Sequence, residues 1–301
     1  MRRLVLIALL GTVAQLVDGT LGMAYGVTAT TALLITGITP AVASAAVHLS
    51  EVGTTLASGL SHWRFGNVDW RVVALIGVPG GIGAFAGATF LSGLSTESAS
   101  LWVAGLLILL GIYLLARFAT GKVRAVMEGR PAGKFLGPLG LVAGFVDATG
   151  GGGWGPIATS SLLSSGKLEP RKTVGSVNTA EFIVAIAASA GFLFGLGRQN
   201  IPYAVVGALL VGGVVAAPIA AWLVSRLSTR WLGVTVSLVL ILTNARNLLN
   251  GLGATAGLRY LAYAVLVLLW ASVVAYSTGR RPTPVVPVTA AAGEERETVR
   301  I

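Results

Sequence analysis

The 301-residue sequence contains no cysteine. Disulfides, thiol nucleophiles and thiolate metal sites are therefore excluded. Histidine is nearly as scarce, since His48 and His62 are the only two in the chain, and they offer little to a histidine metal site. The sequence also lacks a Walker A loop, a His-Glu-x-x-His motif and a Gly-x-Ser-x-Gly motif. We accordingly predict no catalytic residues, no resident metal and no cofactor.

Charged residues are also few, at 11% of the chain against about 25% in a typical soluble domain. Hydrophobic residues make up 54%, and the mean hydropathy is +0.83. These values predict an all-α polytopic protein of the cell membrane. The net charge of +10 comes from basic residues that cluster in short loops between apolar runs. That distribution follows the positive-inside rule, so we expect no nucleic-acid partner.

Apolar runs separated by short loops predict about seven to nine membrane segments, most of them close to the ~20 residues that span a bilayer. They lie at 4–36, 40–61, 71–93, 100–118, 135–164, 172–196, 201–225, 231–250 and 258–278. The predicted domains are a first membrane repeat (1–118), a basic cytoplasmic linker (119–134), a second membrane repeat (135–257), a final membrane helix (258–279) and a tail (280–301). The tail is rich in proline and glutamate, and we expect it to be disordered.

The two halves of the chain resemble each other in sequence when one is shifted by 129 or 130 residues. The matched pairs include Asp18 with Asp147, Tyr25 with Trp154, His48 with Asn178, and Glu51 with Glu181. Of the eleven acids in the chain, only the four in these pairs lie inside apolar segments. An ionisable residue inside the membrane is a functional candidate by default, and the repeat strengthens that interpretation.

The distribution of basic residues predicts how the two halves are oriented. If 4–36 and 135–164 each cross the membrane once, the halves are parallel, with 12 Lys and Arg on the linker side and 9 on the other. If those segments instead turn back at their glycine-rich stretches, the second half is inverted and the counts become 16 and 5. The second arrangement agrees better with the positive-inside rule. We therefore predict inverted repeats, each opening with a glycine-broken helix that is re-entrant or discontinuous.

Each opening segment contains a glycine-rich stretch that disfavours a regular helix. In the second half four consecutive glycines precede Pro156, and each glycine in a helix interior costs about 1 kcal/mol relative to alanine. Glycine lets backbone N–H groups approach a ligand closely, which predicts an anion cradle at the two breaks. Close helix packing is the alternative. The candidate substrate-binding residues are Thr149, Gly150, Gly151, Gly152, Gly153, Trp154 and Asn178 in the second half, and Thr20, Gly22, Tyr25 and His48 in the first.

The four intramembrane acids have two interpretations each. Asp18 and Asp147 stand just before the breaks, where a carboxylate either caps the N–H groups of the next helix or binds a proton or the ligand. Glu51 and Glu181 each share a helix face with the polar residue three positions earlier. That face either lines the substrate path or fixes helix packing through hydrogen bonds.

On these features the chain resembles the sulfite exporter TauE/SafE family of small transporters with two homologous halves. The resemblance rests on the glycine-rich openings with their acids, on Val47-His-Leu-Ser-Glu51 echoed by Val177-Asn-Thr-Ala-Glu181, and on Gly66-Asn-Val-Asp-Trp70. It covers about residues 4–278. It implies transport of sulfite, sulfoacetate or related organosulfur and carboxylate anions. The first half, with Leu21, Met23 and Ala24 among its glycines, is a degenerate copy of the second.

The leading prediction is a secondary transporter that exports small anions by alternating access around the two breaks. A cation or metal permease is the alternative, with the four intramembrane acids as ligands. A membrane-embedded enzyme would require a nucleophile or metal set that the sequence lacks. Arg246 either contacts the anion or extends its side chain to the membrane surface. The expected partners are the anion and the lipid bilayer, and a homodimer is left open.

Overall fold

A computed structural model describes residues 2–21, 23–120, 131–223 and 229–278. Within these residues the chain forms eleven α-helices, so the predicted all-α class is confirmed for them. They are α1 (Arg2–Leu21), α2 (Tyr25–Ile35), α3 (Pro40–Arg64), α4 (Trp70–Gly93), α5 (Thr96–Thr120), α6 (Gly133–Gly150), α7 (Ser160–Ser165), α8 (Pro170–Leu196), α9 (Tyr203–Leu223), α10 (Thr229–Gly251) and α11 (Ala256–Thr278). A π-helical turn (Gly155–Thr159) leads into α7. The tail predicted to be disordered lies outside the described residues.

Several helix starts follow directly from the sequence. Pro40 and Pro170 occupy the first positions of α3 and α8, where a missing N–H is tolerated and the fixed φ suits the helix. Asp69 precedes α4, and its Oδ1 accepts hydrogen bonds from the N–H groups of Arg71 (3.0 Å) and Val72 (3.2 Å). Such caps satisfy backbone donors that have no partner inside the helix.

Five helices in the described part of the chain are long and apolar enough to cross a membrane. They cover Trp70–Gly93, Thr96–Thr120, Pro170–Leu196, Trp231–Gly251 and Ala256–Ala275. The last of these, in α11, buries none of its most apolar stretch, although the indole N–H of its Trp270 donates to the carbonyl oxygen of Val234 in α10 (3.3 Å). The helix α3 is less apolar because it carries polar residues such as His48 and Glu51.

The helix α4 packs along α6 by close backbone approach at glycines. A Cβ added to Gly144 would lie 2.0 Å from the carbonyl oxygen of Gly80, and one added to Gly140 would lie 2.2 Å from that of Ile76. Any larger residue at these positions would force the helices apart. The glycines of α4 and α6 therefore set the distance between the two halves of the chain.

The contact between α6 and α4 has a counterpart between α1 and α9. A Cβ added to Gly11 would lie 2.9 Å from the carbonyl oxygen of Leu209. Gly11 corresponds to Gly140 at the shift of 129 residues, and Leu209 and Ile76 are each the seventh residue of their helix. Each half thus places its opening helix against a later helix of the other half.

The corresponding helices α3 and α8 run antiparallel. A Cβ added to Gly59, near the end of α3, would lie 3.5 Å from the Cα of Thr179, in the first half of α8. Earlier in α3, the His48 ring lies 5.9 Å from the ring of Phe192, near the end of α8. Helices that match in the sequence repeat therefore point in opposite directions.

The helices α4 and α8 run parallel and begin at the same end of the molecule. The N–H of Asp69, just before α4, donates to the hydroxyl oxygen of Ser176 in the first turns of α8 (2.8 Å). At the far end, a Cβ added to Gly195 would lie 2.5 Å from the Cβ of Ser92. The loops 65–69 and 166–169 consequently lie on one side of the molecule.

Candidate substrate site

The chain leaves its helical path after Gly150 and resumes helical structure at Gly155. Gly151 has φ of 65° and Gly152 has φ of 152°, both in the region that favours glycine because a Cβ would be strained there. The N–H of Gly152 donates to the carbonyl oxygen of Asp147 (3.0 Å). The glycine run therefore ends α6 and turns the backbone toward the interior.

Both aspartates that precede a break hold the start of the next helix. Asp147 Oδ1 accepts the N–H of Trp154 (2.9 Å). In the first half, Asp18 Oδ1 accepts the N–H groups of Ala24 (2.8 Å) and Tyr25 (3.0 Å). Each aspartate thus binds the N–H of the residue seven positions later. These are the hydrogen bonds that the capping interpretation requires.

The two breaks touch each other through backbone atoms. A Cβ added to Gly26 would lie 2.6 Å from the Cα of Gly152, and one added to Gly155 would lie 2.9 Å from the Cα of Met23. The two contacts are equivalent in the sequence repeat, because the shift of 129 residues places Gly26 on Gly155 and Met23 on Gly152. The Thr30 hydroxyl adds a hydrogen bond to the carbonyl oxygen of Gly151.

A cavity of about 90 Å³ lies where the breaks meet. Its volume equals roughly three water molecules at their share of the bulk liquid. Glycine backbone from both halves lines it at Gly26, Gly152, Gly153 and Gly155. The other lining residues include Gln15, Asp18, Tyr25, Glu51, Thr54, Thr55, Ser58, Asp147, Pro156, Asn178 and Glu181.

All four intramembrane acids line this cavity, and none of its lining residues is Lys, Arg or His. The carboxyl groups of Asp18 and Asp147 are engaged with backbone N–H groups, as described above. Glu51 is 4% exposed and Glu181 is half-buried. Within the described residues no three side chains of His, Asp and Glu are grouped so as to hold a metal ion.

His48 lies behind the cavity wall and contacts Asp147 from the other half. Its Nε2 lies 3.1 Å from Asp147 Oδ2, and both side chains are buried. Its Nδ1 lies 2.9 Å from the carbonyl oxygen of Ser44 and 3.3 Å from the Ser44 hydroxyl oxygen. The Ser44 hydroxyl in turn donates to the carbonyl oxygen of Ala148 (2.7 Å). Helix α3 is thereby tied to the end of α6.

The predicted site residues of the second half divide into two groups. Gly152, Gly153 and Asn178 line the cavity, and Asn178 Nδ2 donates to the Ser58 hydroxyl oxygen (3.3 Å). Gly150, Gly151, Thr149 and Trp154 do not line it. The Thr149 hydroxyl is turned back to the carbonyl oxygen of Phe145 in its own helix (2.8 Å).

In the first half, Tyr25 lines the cavity, and its hydroxyl lies 3.3 Å from that of Ser50. Gly22 and the Thr20 side chain lie outside the described part of the chain. Arg246 is exposed on α10 and does not line the cavity.

Sequence reasoning missed a polar stripe on α3 that lines the cavity. It consists of Thr54, Thr55 and Ser58, which follow Glu51 at intervals of three, four and seven residues. That spacing puts all four side chains on one face of a helix. The signal was present in the sequence, but serine and threonine are common enough in membrane helices to pass unnoticed.

The chain was compared with known proteins. The family model described as "Sulfite exporter TauE/SafE" matches residues 7–247. The chain is 49% identical over 279 residues to "Probable membrane transporter protein YtnM" of Bacillus subtilis (strain 168), covering 92% of this chain and 93% of that protein. It is 26% identical over 142 residues to "Probable membrane transporter protein YdhB" of the same organism, covering 46% and 58%. No solved structure matches the chain.

The family match and the YtnM match each span most of the chain, including both breaks and the cavity between them. Together with the apolar helices, they make this a membrane transporter, and the chain belongs to the sulfite exporter TauE/SafE family.

Proposed function

We propose that this protein is a secondary transporter that exports small anions such as sulfite, sulfoacetate or related organosulfur and carboxylate anions. The observation that carries the proposal is the cavity between the two breaks, which glycine backbone of both halves lines. Backbone N–H groups are donors without side-chain bulk, and helix starts favour negative charge. An interior-negative potential adds about 2.3 kcal/mol per 100 mV for each negative charge that leaves the cell.

The size of the cavity favours the smaller members of this anion class. A volume of about 90 Å³ suits sulfite, whose single sulfur carries three oxygens. Sulfoacetate is larger by a carboxylate and a methylene group. We therefore place sulfite or an anion of similar size first.

The charge of the cavity sets a condition on anion binding. Two like unit charges 4 Å apart repel by about 4 kcal/mol at an effective dielectric constant of 20. An anion beside ionised Glu51 and Glu181 would meet this repulsion twice. Protonation of the two glutamates would remove this repulsion. We propose that they are protonated when the anion is bound, while Asp18 and Asp147 order the backbone that binds it.

Alternating access requires two halves that exchange roles, and several contacts support inverted repeats. The corresponding helices α3 and α8 run antiparallel, and the two break contacts are equivalent in the repeat. The second opening segment supports a re-entrant hairpin. The segment starts at Gly133, which lies beside Leu75 near the start of α4. Gly175, shortly after the end of the segment, lies beside Asn67, just before α4. Both ends of the segment are therefore at the same end of α4. A parallel four-crossing arrangement would put these two positions on opposite sides of the membrane.

A second cavity fits the role of the outward entrance in this arrangement. Its volume is about 620 Å³, and its lining includes Thr39, Glu97 and Asn250. These residues come from the loop between α2 and α3, the first turn of α5 and the end of α10. In the inverted topology all three positions lie on the side of the membrane that is opposite to the basic linker.

A cation permease is the second candidate, because four carboxyl groups and no basic side chain line the cavity. The two functions differ in the sign of the charge that the cavity must accept. A substitution that adds one negative charge therefore separates them.

The test uses Asn178→Asp, with Asn178→Ala as the matched neutral variant. The purified proteins are placed in liposomes, and fluxes of radiolabelled sulfite, sulfoacetate and divalent cations are measured. An anion transporter should lose sulfite flux far more in Asn178→Asp than in Asn178→Ala. Cation flux that rises in Asn178→Asp, with no sulfite flux in the unaltered protein, would establish the permease instead.

A further inference from the structure

The contacts of His48 fix which of its ring nitrogens carries hydrogen. Nδ1 lies 2.9 Å from the carbonyl oxygen of Ser44, and a carbonyl oxygen can only accept. The Ser44 hydroxyl gives its hydrogen to the carbonyl oxygen of Ala148, so toward Nδ1 it also presents an acceptor. Nδ1 must therefore be the donor, and neutral His48 would hold its only ring hydrogen there.

The contact on the other side of the ring then requires a second hydrogen. Nε2 lies 3.1 Å from Asp147 Oδ2. With Nδ1 already protonated, this hydrogen bond forms only if Nε2 is protonated or if the Asp147 carboxyl is. Without that hydrogen, two lone pairs would face each other in a buried site. The pair as folded thus holds one proton more than a neutral imidazole and a carboxylate together.

We propose that the His48–Asp147 pair is a proton-binding site of the transport cycle, and that its proton travels with the anion. This inference rests on the proposed anion transport and adds the coupling ion. One proton binds to the pair from the side on which the anion enters, and the same proton leaves on the side where the anion is released.

The proton reaches the pair through Asp147. Asp147 lines the cavity and its side chain contacts His48, while His48 is fully buried and does not line the cavity. The other titratable groups around the site are Asp18 on α1, Tyr25 on α2, Glu51 on α3 and Glu181 on α8. The ionisable side chains of the described parts of α4, α5 and α9 do not line the cavity; they are Arg71, Glu97, Tyr113, Arg117 and Tyr203.

The sign of the coupling follows from electrostatics. A negative ion in the cavity lies next to the Asp147 carboxyl group, and it attracts a proton to the pair. The proton in turn removes a negative charge from the cavity wall, which increases anion affinity. Such reciprocal effects between two ligands are thermodynamically required. Proton and anion therefore bind together and cross in the same direction.

The pair also joins the two halves of the transporter. His48 belongs to α3 of the first half, and Asp147 belongs to α6 of the second, directly before the break. Loss of the proton removes the hydrogen bond between them and leaves the cap on Trp154 in place. The proton therefore decides whether this hydrogen bond between the two halves exists.

The sequence repeat supplies an internal comparison. The counterpart of His48 is Asn178, an amide that does not titrate, and it donates to Ser58 rather than to an aspartate. Only one of the two corresponding positions can therefore hold a proton. The substitution His48→Asn copies the second half onto the first and removes the imidazole that holds the proton.

The transport test uses liposomes that contain His48→Asn, the unaltered protein, or the control His62→Asn. The control removes the other histidine of the chain, which lies near the end of α3. An outward sulfite gradient should acidify the exterior in the unaltered protein and in the control, as read by a pH-sensitive dye. In His48→Asn sulfite should still move, with proton movement lost. The apparent sulfite affinity should also lose the part of its pH dependence that this pair contributes, which reaches up to about tenfold per pH unit for one coupled proton.

Three outcomes of this experiment overturn the inference. They are proton movement opposite to sulfite, sulfite flux without proton movement in the unaltered protein, and unchanged proton coupling in His48→Asn. The second of these leaves the proposed anion transport standing. Absence of flux for every anion tested would instead contradict the proposed function, and the spectroscopic test then decides on the proton site.

The spectroscopic test reads the proton directly. The variant His62→Asn contains His48 as its only histidine, so ¹⁵N-histidine labelling gives one imidazole spectrum. We expect a protonated Nδ1 at neutral pH, together with either a protonated Nε2 or an Nε2 that accepts a strong hydrogen bond. At higher pH the His62→Asn protein should lose this second hydrogen. The loss should be absent in a variant that also carries Asp147→Asn. An unprotonated Nδ1 would contradict the proposed site.

Discussion

Trp154 donates its indole N–H to the backbone carbonyl oxygen of Val177, at 3.1 Å, and its side chain is fully buried. The contact joins the helical turn after the second break to α8. A Cβ added to Gly80 of α4 would lie 2.7 Å from the indole ring, so the ring also fills the space between α4 and α8. One side chain thereby fixes the break against two helices, and it does not line the cavity.

We expect Trp154→Phe to destabilise the protein without changing which ions it transports. The smaller ring leaves a void, and the Val177 carbonyl loses its indole partner. The combined loss should be about 1–3 kcal/mol. The measurement is the thermal unfolding midpoint in detergent, with ion selectivity in liposomes. Trp102→Phe, at a position that is 42% exposed, serves as the control and should change the midpoint little.

Gly26→Ala should impair both stability and transport, because its Cβ would lie 2.6 Å from the Gly152 Cα. Backbone atoms cannot move aside as a flexible side chain can, and overpacking of this kind costs about 1–3 kcal/mol. The control is Gly105→Ala in α5, where an added Cβ meets nothing within 4 Å. The control should be neutral or more stable, since alanine favours a helix over glycine by about 1 kcal/mol. Equal midpoints for the two variants would contradict the backbone contact between the breaks.

Much of the fold could be read from the sequence because its causes are local. Apolar runs of membrane length predict helices, and prolines at positions 40 and 170 mark helix starts. The end of α6 at Gly150 likewise follows from the glycine run itself. The relative orientation of distant segments could be predicted only where the internal repeat and the distribution of basic residues supplied a second signal.

The candidate site could be predicted less completely from the sequence, because side-chain direction depends on tertiary contacts. Thr149 stands next to the glycine run, yet its hydroxyl bonds within its own helix. His48 and Asp147 are 99 residues apart, and no local pattern pairs them. The internal repeat instead matches His48 with Asn178. This match does not show which aspartate either residue contacts.

The inverted topology predicts which loops face the cytoplasm. The chain has no cysteine, so single-cysteine variants need no altered background. Lys167→Cys, in the exposed loop after α7, should resist an impermeant thiol reagent applied to intact cells. Gln199→Cys, exposed between α8 and α9, should be labelled. Labelling of both proteins in permeabilised cells is the control. External labelling of Lys167→Cys alone would restore the parallel arrangement.

The last prediction separates the two tasks of Asp147, which caps the turn at Trp154 and contacts His48. Asp147→Ala removes both hydrogen bonds, and it should cost about 1 kcal/mol for the cap and a further 1–3 kcal/mol for the unpaired His48. Asp147→Asn should stay close to the unaltered protein in stability. Its amide oxygen can accept the Trp154 N–H, and its amide N–H can donate to Nε2 of a neutral His48.

Asp18 supplies the matched comparison, because within the described residues its side chain accepts only the N–H groups of Ala24 and Tyr25. Asp18→Ala should therefore cost about 1 kcal/mol, less than Asp147→Ala. The expected order of unfolding midpoints, from lowest to highest, is Asp147→Ala, Asp18→Ala, Asp147→Asn. Because its amide holds the contact without an added proton, Asp147→Asn should also lose the pH dependence of transport that the His48–Asp147 pair contributes. If Asp147→Asn unfolds as readily as Asp147→Ala, the carboxylate charge itself stabilises the break, and hydrogen bonding does not account for its role.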